Sequence, residues 1–120
     1  MLASLLSGAD YVQALRLRRK LVAELDAALA RFDLLITLSA YDAAPKITDV
    51  PKFYLFEKPL LTAPFDLTGH PAHAFCIGFN TDGLPYGAQL IGRAFDEATA
   101  LKAADAYEQA TAWRARRPAI

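Results

Sequence analysis

The sequence contains a single cysteine, Cys76, and no excess of charge of either sign. A lone cysteine cannot form an intramolecular disulfide, and its apolar neighbours Phe75 and Ile77 favour a small buried hydrophobe within a strand. Thirteen basic side chains balance thirteen acidic ones, so no general electrostatic field attracts nucleic acid or an anionic membrane. The sequence therefore predicts neither a disulfide framework nor a nucleic-acid partner.

Long apolar segments are also absent. No run approaches the roughly 20 residues that a membrane-spanning helix needs, and residues 1–9 lack the basic and apolar regions of a signal peptide. Together with the unpaired cysteine, these absences favour a soluble protein of the reducing cytoplasm with no membrane partner.

Apolar residues, in contrast, are abundant. They make up 54% of the 120 residues, against 22% charged residues, which excludes a disordered chain and fits a single domain over residues 1–120. A domain of this size has a high surface-to-volume ratio. We therefore expect part of its apolar surface to pack against another domain, another chain or another part of the same fold.

The first third of the chain predicts one long helix. Ser7 and Asp10 have the spacing of an N-terminal capping signal, and neither proline nor glycine follows until Pro45. We expect the helix to begin near residue 9 and to end near Arg31, whose cation suits the negative end of the helix dipole. The predicted core-facing stripe comprises Leu21, Val22, Leu25, Ala28, Leu29 and Phe32.

Three later segments have the character of strands. Leu34 to Leu38 is short and continuously apolar, as expected for a strand that is buried on both faces of a sheet. Residues 72–79 and 86–91 predict an antiparallel hairpin, in which Asp82-Gly83 supplies a residue that tolerates positive φ.

Two further signals complete the predicted fold. A long proline-containing loop from Ala40 to Leu61 separates the first strand from the hairpin. Asp96 occupies an N-cap position ahead of a second helix with a stripe of small residues. The pattern predicts an α/β fold with a mixed sheet of about three strands and two main helices.

Ordered motifs add a family resemblance. Gly8 to Ala14 leads towards the strand-like Asp33 to Thr37, and Thr62 to Ala72 reads Thr-Ala-Pro-Phe-Asp-Leu-Thr-Gly-His-Pro-Ala. Asp82 to Glu97 contains Gly-Leu-Pro-Tyr-Gly-Ala-Gln-Leu-Ile-Gly. In this order, the motifs resemble the amidase-signature family, whose members hydrolyse carboxylic amides or transfer ammonia from glutamine. The chain departs from the family pattern at Asp66, where the family has asparagine, and at His70, His73, Phe75 and Cys76.

The resemblance implies that the chain corresponds to the C-terminal portion of an amidase-signature domain, after its catalytic region. In that family two serines and a lysine carry out the reaction without a metal or an organic cofactor. Serine occurs here only as Ser4, Ser7 and Ser39, and no Ser-x-x-Lys-like arrangement is present. We therefore assign no catalytic residue and expect no amide hydrolysis by this chain alone.

Only a few residues remain as candidates for a substrate pocket. Phe53, Tyr54 and Phe56 could form a wall of the pocket, because loops of this part of the family close over the acyl group, although core packing of the loop is favoured. Asp66 could contact substrate, but local capping of the following turn is favoured. Gln89 could orient a neighbouring loop or simply form a buried hydrogen bond.

Other polar residues favour structural explanations. His70 and His73 could form a metal or acid/base pair, but no acidic or cysteine ligand is near them in sequence. We therefore predict no metal site there. The cations from Arg16 to Lys20 favour a solvated helix face over an anion site.

Two functions remain open. The chain could be part of an amidase whose catalytic half is supplied by a partner, so that only the complete enzyme binds a small amide substrate. Alternatively, it could be a non-catalytic binding or assembly module, including a self-associating one. A third interpretation is a free-standing α/β domain with a ligand site under the proline-containing loop.

Overall fold

The computed structural model describes residues 5–51 and 58–116. Its first element is helix α1, Gly8–Leu29, which begins with the predicted capping box. The Ser7 hydroxyl accepts a hydrogen bond from the Asp10 backbone N–H at 3.2 Å, and the Asp10 carboxylate accepts one from the Ser7 N–H at 2.9 Å. These reciprocal bonds satisfy two N–H groups that the helix itself leaves unpaired.

The predicted apolar stripe of helix α1 is only partly buried. Leu29 is buried and the stripe residues before it are half-buried, but Phe32 lies beyond the helix and is 52% exposed. The helix ends at Leu29, and its last turn carries no basic residue, so the expected role of Arg31 is wrong. The cation at this helix end is Arg93, which the fold brings from the far end of the chain.

The sheet contains three strands, β1 (Leu35–Leu38), β2 (Ala72–Phe79) and β3 (Pro85–Ile91), in the order β1-β3-β2. Both pairings are antiparallel, which confirms the α/β fold with three strands but corrects the expectation of a mixed sheet. β1 and β2 do run in the same direction. They are not neighbours, because β3 lies between them and forms a hairpin with β2.

The hairpin turn follows the predicted chemistry. Gly83 adopts φ 79°, a left-handed conformation that costs glycine little. The Asn80 side chain accepts hydrogen bonds from the N–H groups of Asp82 at 3.0 Å and Leu84 at 2.8 Å. A bulge between Cys76 and Gly78 shifts the register of β2.

A short helix, α2 (Ala63–Thr68), lies between β1 and β2 and was not predicted. It ends at Gly69, which adopts φ 78°. Arg18 on α1 donates a hydrogen bond to the Leu67 carbonyl at the end of α2. One of the cations expected to be solvated therefore joins two helices. Short 3-10 turns occupy Ile47–Asp49 and Trp113–Ala115.

Helix α3, Glu97–Ala110, covers one face of β2 and β3. Ala100 and Ala104 on the helix form the core with three sheet residues, Phe75, Ala88 and Leu90. The small alanines allow close approach, and the ring of Phe75 packs edge-on against Tyr107 with centroids 5.0 Å apart.

This helix leaves β1 uncovered on that face. Ile36 is 65% exposed and Leu38 is 48% exposed, so the expectation that this strand is buried on both faces is wrong within the 120 residues. The two side chains lie opposite Leu90 and Ala88 of β3, which belong to the buried core. The apolar surface therefore continues from the core onto an open sheet edge.

The chain exposes much more surface than a self-contained monomer of its size. Its accessible surface is 9434 Å². A compact monomer of this mass has about 6,400 Å². Its radius of gyration is 17.5 Å, against about 14 Å for a compact domain. Among the described helices, none has the length and hydropathy needed to span a bilayer.

Candidate functional site

A cavity of about 230 Å³ lies where β1 ends and the long loop begins. Two segments line it, residues 39–42, which continue directly from β1, and residues 58–61, which precede α2. Loops at strand ends often carry binding residues, because the sheet fixes the positions of the polar groups that such loops present.

Ser39 is the first residue of the cavity and is fixed against β3. Its N–H donates to the Gly87 carbonyl at 2.9 Å. A Cβ at Gly87 would lie 3.3 Å from both Cβ and Oγ of Ser39, so glycine at this position permits the close approach. The Ser39 hydroxyl is buried and has no hydrogen-bond partner among the described residues. It is therefore an unsatisfied polar group in the wall of the cavity.

The other polar side chains of the cavity lining belong to Tyr41, Asp42 and Lys58. The Lys58 ammonium lies 5.9 Å from the centre of the Tyr41 ring, within the range of a cation–π contact. The Asp42 carboxylate accepts a hydrogen bond from the Ala43 N–H at 2.7 Å and lies 3.5 Å from the Tyr86 hydroxyl. The cavity lining thus combines a cation, a carboxylate and two hydroxyl-bearing residues with the apolar side chains of Leu60 and Leu61.

Gln89 holds the two lining segments together. Its side chain is buried, and its amide nitrogen lies 3.0 Å from the Thr37 hydroxyl and 3.4 Å from the Leu38 carbonyl, both on β1. The same nitrogen lies 3.1 Å from the Leu61 carbonyl. These bonds join β1 to the loop across the sheet, and the role of Gln89 in orienting the loop stays a prediction.

The structure places the other predicted pocket residues as follows. Phe53, Tyr54 and Phe56 lie outside the described residues, in the six positions 52–57 that lead directly to Lys58. Asp66 lies on α2, is exposed and does not line the cavity. Among the described residues its carboxylate forms no hydrogen bond, so neither substrate contact nor capping is supported by a contact, and the pocket role of all four residues stays a prediction.

Four residues of the cavity were not predicted from the sequence: Ser39, Tyr41, Asp42 and Lys58. The available signal was the position of Ser39 directly after an apolar strand, where the chain leaves the sheet. Lys58 gave no such signal. It lies nearly twenty positions along a loop, and only the tertiary fold brings it back beside Tyr41.

Neither of the two described serines has the surroundings of an activated nucleophile. The Ser7 hydroxyl is bonded to the Asp10 carboxylate in the capping box, and the Ser39 hydroxyl has no partner in the described part of the chain. Amide hydrolysis requires a nucleophile with a proton acceptor within hydrogen-bond reach. Ser39 has no such acceptor, and the acceptor beside Ser7 is the carboxylate of Asp10, whose lowered pKa makes it a weaker base.

The histidines also have structural surroundings. The His70 side chain is 1% exposed, and its Nε2 lies 3.1 Å from Asp26 Oδ1 on α1. Since a carboxylate only accepts hydrogen bonds, Nε2 is the donor. His73 lies on β2, opposite Leu90. No cluster of three possible metal ligands occurs among residues 5–51 and 58–116.

Comparison with known proteins identifies relatives over nearly the whole chain. This chain is 41% identical over 114 residues to a glutamyl-tRNA(Gln) amidotransferase subunit of Chloroflexus aggregans, and the match covers 92% of this chain and 23% of the relative. The corresponding subunit of Synechococcus elongatus is 38% identical over 116 residues, covering 93% of this chain and 24% of the relative. The chain therefore spans about a quarter of the length of these curated relatives.

Solved structures agree with this relationship. A 6-aminohexanoate cyclic dimer hydrolase superposes with a TM-score of 0.85 at 26% identity, over 97% of this chain and 27% of the enzyme. The corresponding amidotransferase subunit of Thermotoga maritima superposes with a TM-score of 0.77 at 31% identity, over 88% of this chain and 23% of that protein. The family model described as amidase matches residues 1–101, and the chain belongs to the amidase family.

Proposed function

We propose that this chain contributes a wall of the substrate pocket and part of the central sheet to an amidase, which hydrolyses the C–N bond of a carboxylic amide. The nucleophile would come from protein outside these 120 residues, because the Ser7 hydroxyl belongs to an exposed helix cap and the Ser39 hydroxyl has no acceptor among the described residues. The chain alone would then be inactive. The lone cysteine supports a cytoplasmic location, and the family resemblance implies chemistry without a metal or cofactor.

The observation that carries this proposal is the open apolar edge beside the cavity. Ile36 and Leu38 on β1 are 65% and 48% exposed, and Tyr41 and Leu60 at the cavity are 54% and 50% exposed. Together with the large total surface, these exposures indicate a face that another part of an amidase would cover. Docking there would close the cavity and exclude water from the bound amide.

The cavity supports a role in binding the amide. The free Ser39 hydroxyl can hydrogen-bond a polar group of the substrate, while Leu60 and Leu61 offer apolar contact to its carbon chain. Gln89 would keep this wall in place through the Leu61 carbonyl. The glutamine therefore acts as a positioning residue and contacts no reacting atom in this proposal.

Complementation tests the proposal directly. The matched 114-residue segment would be deleted from the Chloroflexus aggregans relative, and this chain would be added in trans or fused in its place. We expect the deleted relative and this chain to be inactive separately, and ammonia release from glutamine to return when they are combined. An Ile36→Asp chain serves as the matched negative control. Amide turnover by the pure 120-residue chain would contradict the assignment of the nucleophile to other protein.

The same open edge favours a second function, a non-catalytic assembly module. Unpaired backbone groups and apolar side chains on an edge strand promote pairing with another chain, including a second copy. Light scattering at increasing protein concentration separates the two functions. A stable dimer that fails to restore activity in the complementation test would favour the assembly module.

A further inference from the structure

A second and larger cavity, of about 400 Å³, lies between the β2–β3 hairpin turn and the end of α3. It is bounded by the turn of the β2–β3 hairpin on one side and by the Trp113–Ala115 turn on the other. This volume is within the range of small-molecule sites, which is about 300–1,000 Å³. None of its lining residues lines the Ser39 cavity, so the two sites are separate.

Two aromatic rings form its apolar walls. The rings of Phe79 and Trp113 pack against each other at an interplanar angle of 59°, with their centroids 6.0 Å apart. The indole is fixed by a hydrogen bond from Trp113 Nε1 to the Tyr107 hydroxyl at 3.1 Å, and that hydroxyl lies 3.4 Å from the Ile77 carbonyl. Because this chain of bonds holds Trp113 in place, little conformational entropy is lost when a flat ligand enters.

The lining of this cavity also contains a cation, Arg116. The Arg116 guanidinium stacks over the Phe79 ring, 4.2 Å from its centre. Stacking uses the face of the guanidinium and leaves its N–H edge available for a bidentate acceptor. Among the described residues, Arg116 has no carboxylate within salt-bridge distance, whereas the neighbouring Arg114 is paired with Glu108 at 3.2 Å. The lining therefore carries one uncompensated positive charge.

From this combination we propose that the Phe79–Trp113 cavity binds a small aromatic carboxylate. The ring of the ligand packs against the apolar wall that Phe79 and Trp113 form together, and its carboxylate accepts hydrogen bonds from Arg116. A neutral aromatic molecule of the same size lacks the second interaction, and an aliphatic acid such as acetate lacks the first. This site does not depend on the amidase proposal.

The chain carries two built-in reporters of this cavity. Trp113 is its only tryptophan and Cys76 its only cysteine, and both line the cavity. Intrinsic fluorescence therefore reports binding at the indole, and the alkylation rate of a single thiol reports occupancy beside it. Benzoate is the probe, with benzyl alcohol and acetate as matched controls. None of the three is an amide, so amidase activity cannot affect the result.

We expect benzoate to change the Trp113 emission saturably, with a Kd of about 1 mM for a ligand of this size. It should also slow alkylation of Cys76 by an uncharged maleimide. Benzyl alcohol should bind about tenfold more weakly, and acetate should have no saturable effect. Absence of a saturable benzoate signal, or a signal without protection of Cys76, would overturn the proposal.

Substitutions at Arg116 test whether its positive charge binds the carboxylate of benzoate. Arg116→Gln should raise the Kd for benzoate about tenfold and leave the weak affinity for benzyl alcohol unchanged, because one charge-assisted contact is lost. Arg116→Lys should retain more of the affinity than Arg116→Gln. Arg31→Gln is the matched control, and it should alter the Kd less than twofold because Arg31 lies over the Phe32 ring and does not line this cavity. Circular dichroism verifies the fold of each variant. Equal benzoate affinity for Arg116→Gln and the parent chain would refute the site.

Discussion

The guanidinium of Arg93 donates a hydrogen bond from Nε to the backbone carbonyl of Leu29 at 3.1 Å, although the two residues are 64 positions apart. The same side chain reaches the Phe32 carbonyl at 3.1 Å and the Asp33 carboxylate at 3.2 Å. Leu29 is the last residue of α1, and the carbonyls at a helix end have no partner within the helix. Arg93 therefore caps α1 from the segment that follows β3.

Removing this cap is expected to destabilise the fold. Arg93→Ala should lower the free energy of unfolding by about 1–2 kcal/mol, since two backbone carbonyls lose a charged donor. Arg114→Ala is the matched control, because its ion pair with Glu108 is exposed and should contribute at most about 0.5 kcal/mol. Urea denaturation measures both. Equal effects of the two substitutions would show that the α1 cap contributes little.

Loss of the Gln89 amide should release the wall of the Ser39 cavity. Gln89→Leu keeps the size of the side chain but leaves the Leu61 carbonyl without this donor, at an expected cost of about 1–3 kcal/mol. Amide hydrogen exchange should accelerate first in residues 58–62. Gln109→Leu is the control, because Gln109 is exposed on α3 and its loss should stay within about 0.5 kcal/mol. Unchanged exchange near Leu61 would contradict the positioning role of Gln89.

Substitutions at Asp26 and at His70, which share one hydrogen bond, should lower the stability by different amounts. Asp26→Ala leaves the buried His70 Nε2 without an acceptor and should cost about 1–3 kcal/mol, although Asp26 itself is half-exposed. His70→Leu should cost less, because it also removes the Nδ1 atom that has no partner among the described residues. The double variant should recover most of the loss. Thermal denaturation of the four proteins measures the coupling, and additive effects would refute it.

The capping box predicts a pH-dependent helix end. Hydrogen bonds from the Ser7 hydroxyl and backbone N–H lower the pKa of Asp10 below its ordinary value of 3.8. A lowered pKa in the folded state means that this contribution is fully present above 3.8 and disappears as the pH falls through the folded value. Helicity by circular dichroism should therefore differ between the parent chain and Asp10→Asn at neutral pH, and converge at pH about 2. A difference that persists there would exclude the carboxylate as its source.

The open edge of β1 should tolerate charge in the isolated chain. Ile36→Lys should change the melting temperature little, because the side chain is 65% exposed, while reducing binding of a hydrophobic dye. Ile47→Lys is the control, because Ile47 is even more exposed but lies in the Ile47–Asp49 turn, away from β1. Only Ile36→Lys should abolish complementation of the deleted relative. If both variants complement equally, β1 is not the docking edge.

Local signals in the sequence were accurate where the structure depends on neighbours along the chain. β2 has the predicted bounds, Ala72–Phe79, and β3 begins one residue earlier than predicted. The capping box at Ser7 and the positive φ at Gly83 also match. These features depend on periodicity, capping and turn chemistry within a few residues, which is the range over which a single sequence is informative.

The Ser39 cavity was much less accessible to prediction. Gln89 stood out because it is a polar residue in an apolar strand, but its contacts with Thr37 and Leu61 depend on strand order. Lys58 and Tyr41 had no shared pattern, and their proximity results from the path of a long loop. A site assembled from distant segments leaves little trace in the spacing of its residues.

By itself, the sequence determined the two long helices, the three strands, the cap at Ser7, the turn at Gly83 and the family to which the chain belongs, because these depend on local periodicity and on ordered motifs. The tertiary structure alone decided that β3 separates β1 from β2, that Arg93 rather than Arg31 caps α1, and that β1 remains open. Each of these depends on contacts between residues far apart in the chain. The continuous hydrophobicity of residues 34–38 predicts a buried strand, but it does not identify the surface that covers the strand.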